Sequence, residues 1–155
     1  MQRNGYMQTV GNTEEWETPQ WLFDTLDAEF HFTLDPCATD QNCKCEKHYT
    51  KEDDGLSKDW KDETVFCNPP YGRELSKWIQ KCAAESKKNK TTVVMLIPSR
   101  TDIKAFHDYI ANRAELRFIR GRLRFGEATA PAPFANMVVI FKGRRRVKRY
   151  GTIEH

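Results

Sequence analysis

The sequence predicts an α/β fold with a largely parallel sheet and an antiparallel pair of strands at one edge. Three observations predict it. Short apolar runs (HFTLD, TVFCN, TTVVMLIP) alternate with stretches of helical periodicity, the pattern of strand–helix–strand units. TTVVMLIP is uniformly apolar and rich in β-branched residues, as in a central strand covered on both faces. The last two strand-like runs, ELRFIRGRLRF and NMVVIFK, are joined by a loop with no helical pattern, so they pair antiparallel.

The elements follow in order. Residues 1–15 read as a loose arm. Thr18-Pro19 reads as a helix start, with Thr18 as N-cap and Pro19 at the first helical position. Leu22, Leu26 and Phe30 then recur at helical spacing. HFTLD is a short strand ending at Asp35 and stopped by Pro36. Residues 37–63 are polar and hold at most short elements, with a turn at Asp54-Gly55. TVFCN is a strand closed by Asn68-Pro69-Pro70, because two prolines cannot donate to a ladder. Leu75, Trp78, Ile79, Cys82 and Ala83 mark one face of the next helix, whose final lysines suit its negative dipole end. Ile103, Phe106 and Ile110 mark a further helix. In ELRFIRGRLRF, Leu116 and Phe118 alternate with Arg117. Gly121 bends the run, and Leu123 and Phe125 resume the alternation opposite Arg122 and Arg124. Residues 143–155 read as a basic tail, and the 155 residues as one domain.

Composition narrows the function. No stretch approaches the roughly 20 apolar residues of a membrane helix, and the N-terminus lacks a signal-peptide core, so a cytoplasmic protein is expected. Five cysteines, an odd count, argue against a disulfide framework. Cys37, Cys43, Cys45 and His48 lack a Cys-x-x-Cys pair, so no metal site is expected. The net charge of +3 hides a segregation: residues 13–63 carry 15 acidic and 5 basic side chains, and residues 113–149 carry 11 basic and 2 acidic. A positive rear half suits a nucleic-acid partner.

Ligands of open α/β sheets bind outside the carboxyl ends of the strands. Two such ends hold unusual residues: Asp35-Pro36-Cys37-Ala38 and Asn68-Pro69-Pro70-Tyr71. In the second, the Asn68 amide offers an acceptor and two donors. Pro70 has no N–H, the proline pair stiffens the turn, and Tyr71 can offer a flat ring. A planar heterocycle with an exocyclic amino group would satisfy this set.

Asn68-Pro69-Pro70-Tyr71 resembles the [D/N/S]-P-P-[Y/F/W] motif of S-adenosylmethionine-dependent amino-methyltransferases. EWETPQWLFD, FTLDPCA, DGLSKDW, VFCNPPYG and RGRLRFG…APFANMVVIF, in that order over roughly residues 14–142, together resemble the small phage-type DNA N6-adenine methyltransferases (the phage Dam family). The resemblance implies a Rossmann-like class I methyltransferase fold and an adenine-specific DNA methyltransferase. Only 33 positions separate Asp35 from Asn68, too few beside the roughly 30 residues of one βαβ unit for more strand–helix units between them, so the sheet should be trimmed, with residues 39–63 mostly loop.

By the same resemblance, Asp35, Pro36, Cys37 and Ala38 bind the methionine part of S-adenosylmethionine, Thr18 and Pro19 contact the same group, and Asp54 holds the ribose or adenosine edge. Asn68 and Pro69 accept hydrogen bonds from the N6 amino group of a flipped-out adenine, with Pro70 shaping the turn and Tyr71 stacking on the base. Arg73, Arg100, Arg122 and Arg124 are DNA-contact candidates on double-stranded DNA, and a monomer is favoured. Methylation of RNA or of protein glutamine, and non-catalytic nucleic-acid binding, are the alternatives.

Overall fold

The computed structural model describes residues 16–128, 130–143 and 150–155. The expected arm over residues 1–15 and the arginine run at 144–149 lie outside the described residues. Two α-helices, α1 (Gln20–Phe30) and α2 (Leu75–Asn89), and a short π-helical segment (Phe106–Ile110), where the sequence predicts a helix, pack against five strands: β1 (Val65–Cys67), β2 (Val93–Pro98), β3 (Glu115–Ile119), β4 (Asn136–Phe141) and β5 (Tyr150–Ile153).

The strand order is β1-β2-β4-β3-β5. β1 pairs parallel with β2, and β3 parallel with β5, whereas β4 runs antiparallel to both β2 and β3. The sheet is therefore mixed rather than largely parallel. The antiparallel pair is also not at the edge. The apolar strand β4 is buried along its whole length and fits best between β2 and β3. The edge falls to β5, which arises from the segment read as a basic tail.

Outside β1 the sheet is trimmed, as expected. HFTLD contributes single bridges: Leu34 to Val65 and Asp35 to His48, both parallel. The peptide N–H of Tyr49 donates to the Asp35 carbonyl, and that of Ala38 to the Tyr49 carbonyl. Within residues 39–63 the only helix is the short turn Gly55–Ser57.

The alternation of each central strand divides the core. Val93, Met95 and Ile97 of β2 join Met137 and Val139 of β4 under α2, against Leu75, Trp78, Ile79 and Cys82. Val94, Leu96, Val138 and Ile140 face the other way, onto Leu22, Phe23 and Leu26 of α1. Both faces of β2 are thus covered, as its uniform composition requires. Arg117 on β3 ties α1 to the sheet: its guanidinium spans both carboxylate oxygens of Glu29 at 2.5 and 2.8 Å and reaches Glu115 at 2.9 Å, a bidentate arrangement suited to arginine.

Two local expectations are corrected. Thr18 does not cap α1. Pro19 is the N-cap, no side chain caps the helix, and the Pro19 carbonyl accepts from the N–H groups of Leu22 and Phe23. Residues 122–125 keep the predicted burial alternation, with Leu123 and Phe125 buried and Arg122 and Arg124 exposed. They are not a strand, because β3 ends at Ile119 and Gly121 takes a φ of 78°, turning the chain off the sheet.

Candidate active site

Leu34 and Val65 are paired in register, and the Phe66 N–H donates to the Leu34 carbonyl. Asp35 and Asn68 therefore emerge from neighbouring strands at the same end of the sheet. A cavity of about 610 Å³ opens there, and Thr18, Asp35, Pro36, Cys37, Ala38 and Asp54 all line it together with Asn68, Pro69 and Pro70. Pro19 and Tyr71 do not line it. Phe66, Leu56 and Trp78 supply apolar wall, and the volume is typical of a small-molecule site.

Asn68 is held from three sides. Its Nδ2 donates to the Thr18 hydroxyl at 2.9 Å and to the Trp16 carbonyl. Its Oδ1 accepts from the Tyr71 hydroxyl at 2.6 Å. The Leu96 carbonyl lies 3.1 Å from that same hydroxyl. Burial pushes the Tyr71 phenol well above its usual range, so it stays a hydrogen-bond donor. The Tyr71 ring sits in an aromatic cluster: nearly parallel to Trp16 at 6.4 Å and 18°, and edge-on to Phe125 and Phe134 at 6.1 and 5.6 Å. Trp16 also lines the cavity, so the cluster and the cavity adjoin through it.

The profile of the DNA N-6-adenine-methyltransferase (Dam) family matches residues 8–149. The chain belongs to this Dam family. Among its relatives, the DNA N-6-adenine-methyltransferase of Haemophilus phage HP1 (strain HP1c1) is 31% identical over 149 residues, covering 88% of this chain and 86% of that protein. The DNA N-6-adenine-methyltransferase of Escherichia phage T1 is 31% identical over 110 residues, 70% of this chain and 45% of that one. The putative methyltransferase YfdM of Escherichia coli (strain K12) is 35% identical over 65 residues, 37% of this chain and 71% of that protein.

In this Dam-family chain the buried acid among those lining the cavity is Asp35. It is buried, and burial raises its carboxyl to about 6 against the peptide N–H groups of Lys44 and Cys37 that donate to it. The Asp54-Gly55 turn lines the same cavity and packs against Pro36. A Cβ on Gly55 would lie 2.1 Å from the Pro36 carbonyl oxygen and 3.1 Å from the Trp78 ring, so only glycine lets the Pro36 and Asp54 segments touch. The Gly55 carbonyl is pinned by the indole N–H of the fully buried Trp60 at 3.1 Å, and Trp60 stacks on Trp78.

The four arginines share one end of the fold. β2 and β3 both oppose β4, so β1, β2 and β3 point the same way. Arg73, Arg100, Arg122 and Arg124 follow the carboxyl ends of these strands, and all four are exposed. His48 and Cys43 are engaged locally: His48 lies between Asp40 and the Glu46 carbonyl, and Cys43 lies 3.7 Å from the Asp40 carbonyl.

Sequence reasoning missed Trp16, the Leu96 carbonyl, Phe134 and Asn136 as parts of this site. Asn136 opens β4, is 1% exposed and sits near the Tyr71 side chain, with neither of its amide atoms in a hydrogen bond among the described residues. A polar residue at the head of an otherwise apolar strand was its only signal.

Proposed function

We propose that this chain transfers a methyl group from S-adenosylmethionine to the N6 amino group of an adenine flipped out of double-stranded DNA. The reading is favoured by one juxtaposition: Asp35-Pro36-Cys37-Ala38 and Asn68-Pro69-Pro70 line a single cavity, in a chain of the Dam family. The curated relatives that cover most of this chain are named DNA N-6-adenine-methyltransferases. The sheet, with one antiparallel strand set among parallel ones, supports a trimmed Rossmann-like methyltransferase fold.

The donor set fits the cofactor. A buried carboxylate at Asp35 suits an ammonium group, Asp54 suits ribose hydroxyls, and Leu56, Phe66 and Trp78 suit the apolar and ring parts. When bound, S-adenosylmethionine supplies an electrophilic sulfonium methyl. The residues of the chain then need mainly to align and polarise the acceptor.

The N6 lone pair of adenine is delocalised into its ring. Asn68 Oδ1 keeps one lone pair beyond its bond to Tyr71, and the Pro69 carbonyl is a second acceptor. Together they draw the amino group toward pyramidal geometry and localise that lone pair. The Tyr71 ring and its aromatic neighbours receive the extruded base, whose removal from the stack costs a few kcal/mol. Arg73, Arg100, Arg122 and Arg124 contact phosphates and set affinity rather than sequence choice.

The test is a methyl-transfer assay with labelled cofactor on double-stranded DNA, RNA and protein, followed by base analysis. N6-methyladenine in DNA is expected, and Asn68→Ala should abolish it while leaving cofactor binding by calorimetry intact. Product on RNA or glutamine alone, or an active Asn68→Ala, overturns the reading.

A further inference from the structure

We propose that Thr18 is a positioning residue, whose hydroxyl fixes the orientation of the Asn68 amide, rather than a residue that holds the cofactor. The inference rests on the reading of Asn68 as the acceptor for the target amino group.

An asparagine amide has two ends of nearly equal size and opposite hydrogen-bonding sense. Only the oxygen end can accept from an amino group. The nitrogen end would set N–H against N–H. In this site both hydrogens of Nδ2 are assigned, one to the Trp16 carbonyl and one to the Thr18 hydroxyl at 2.9 Å. The oxygen end is held by the Tyr71 hydroxyl at 2.6 Å. The Trp16 carbonyl can only accept, so it sets which way round the amide lies. Thr18 takes the second hydrogen and fixes the rotation of the amide plane, which aims the remaining lone pair of Oδ1.

The backbone supports this assignment. A threonine ahead of a helix ordinarily caps it. Here the cap position passes to Pro19, no side chain caps α1, and Thr18 is buried at 4% exposure with its oxygen turned to a residue 50 positions away. The 16–18 segment is itself anchored, because the Gly126 N–H donates to the Glu17 carbonyl at 2.9 Å.

Thr18→Val keeps the side chain's shape and removes the acceptor, and Thr18→Ser keeps the acceptor. Steady-state methylation of DNA, cofactor affinity by calorimetry and thermal unfolding are measured on both, beside wild type. Thr18→Val should lower kcat roughly tenfold or more, because a buried N–H loses its partner and the amide plane is freed. Cofactor Kd and the KM for DNA should hold within about twofold of wild type, since neither reports the amide's aim. Thr18→Ser should recover most of the rate. Should Thr18→Val fail to fold, Thr18→Ala is read on the same quantities. Cofactor Kd weakening in step with the loss of rate would make Thr18 a cofactor ligand and overturn the proposal, as would an unchanged kcat in Thr18→Val. A wild-type protein that puts no methyl on adenine sinks the underlying reading and this proposal with it, and the wild-type arm tells that failure from the others.

Discussion

The Tyr71 hydroxyl lies 2.6 Å from Asn68 Oδ1, so the first and last residues of the Asn-Pro-Pro-Tyr turn are hydrogen-bonded across the two prolines. The aromatic residue of the motif thereby has two separable parts, a ring that packs and a hydroxyl that aims.

Tyr71→Phe keeps the ring and removes the aim. Its kcat should fall by roughly tenfold, the equivalent of one buried hydrogen bond, while the KM for DNA changes little. Tyr71→Ala removes both parts and should also raise the KM for DNA, because stacking on a base is worth about 1–3 kcal/mol. Steady-state kinetics on a duplex substrate separates the two. Equal effects of the two substitutions would show that the hydroxyl contributes nothing.

Asp35 couples the cavity to pH. Its carboxyl is raised from 3.8 to about 6, with burial as the main cause. A raised carboxyl pKa means that the native state holds its proton longer than the unfolded chain. The stability this contributes is full below 3.8 and is lost as pH rises through about 6, by an amount on the order of 3 kcal/mol. Cofactor binding has the opposite sense, because an ammonium group favours the ionised acid. Cofactor affinity should therefore rise as pH increases from about 5 to about 7, with proton release on binding in the lower part of that range. Asp35→Asn should bind weakly and flatten both profiles. Calorimetry and thermal unfolding across pH check this, and a cofactor affinity independent of pH would remove Asp35 from the binding site.

Gly55 is the contact point between the Pro36 segment and the Asp54 turn. Gly55→Ala brings a methyl group to 2.1 Å from the Pro36 carbonyl oxygen, so the Asp54 turn must move away. Overpacking of this kind costs about 1–3 kcal/mol. Both the thermal midpoint and cofactor affinity should fall. An Ala variant with wild-type cofactor affinity would mean that the Asp54 turn does not touch the ligand.

The arginines should act through salt. Arg122→Ala is expected to weaken duplex binding about equally on all sequences and to reduce the slope of log affinity against log salt by about one. Fluorescence anisotropy over a salt series measures it, and an unchanged slope would take Arg122 off the DNA path.

Much of this protein is written locally. The proline pair after VFCN, the uniform run TTVVMLIP and the helical spacing of Leu75, Trp78 and Ile79 each reflect constraints within a few residues: a missing donor, a two-sided burial, a 3.6-residue period. From these follow the strands, the α2 face and the two strand ends where Asp35 and Asn68 emerge, and the order of the motifs pointed to the Dam family. Tertiary structure decided what depends on partners far along the chain. β4 lies between β2 and β3, and residues 150–153 of the expected tail close the sheet as β5, because strand order is chosen by which buried faces fit together. Thr18 gave up a helix cap for Asn68, and Tyr71 turned its hydroxyl inward, because a buried amide must find partners wherever packing brings them, and neither choice leaves a mark at the spacing of neighbouring residues.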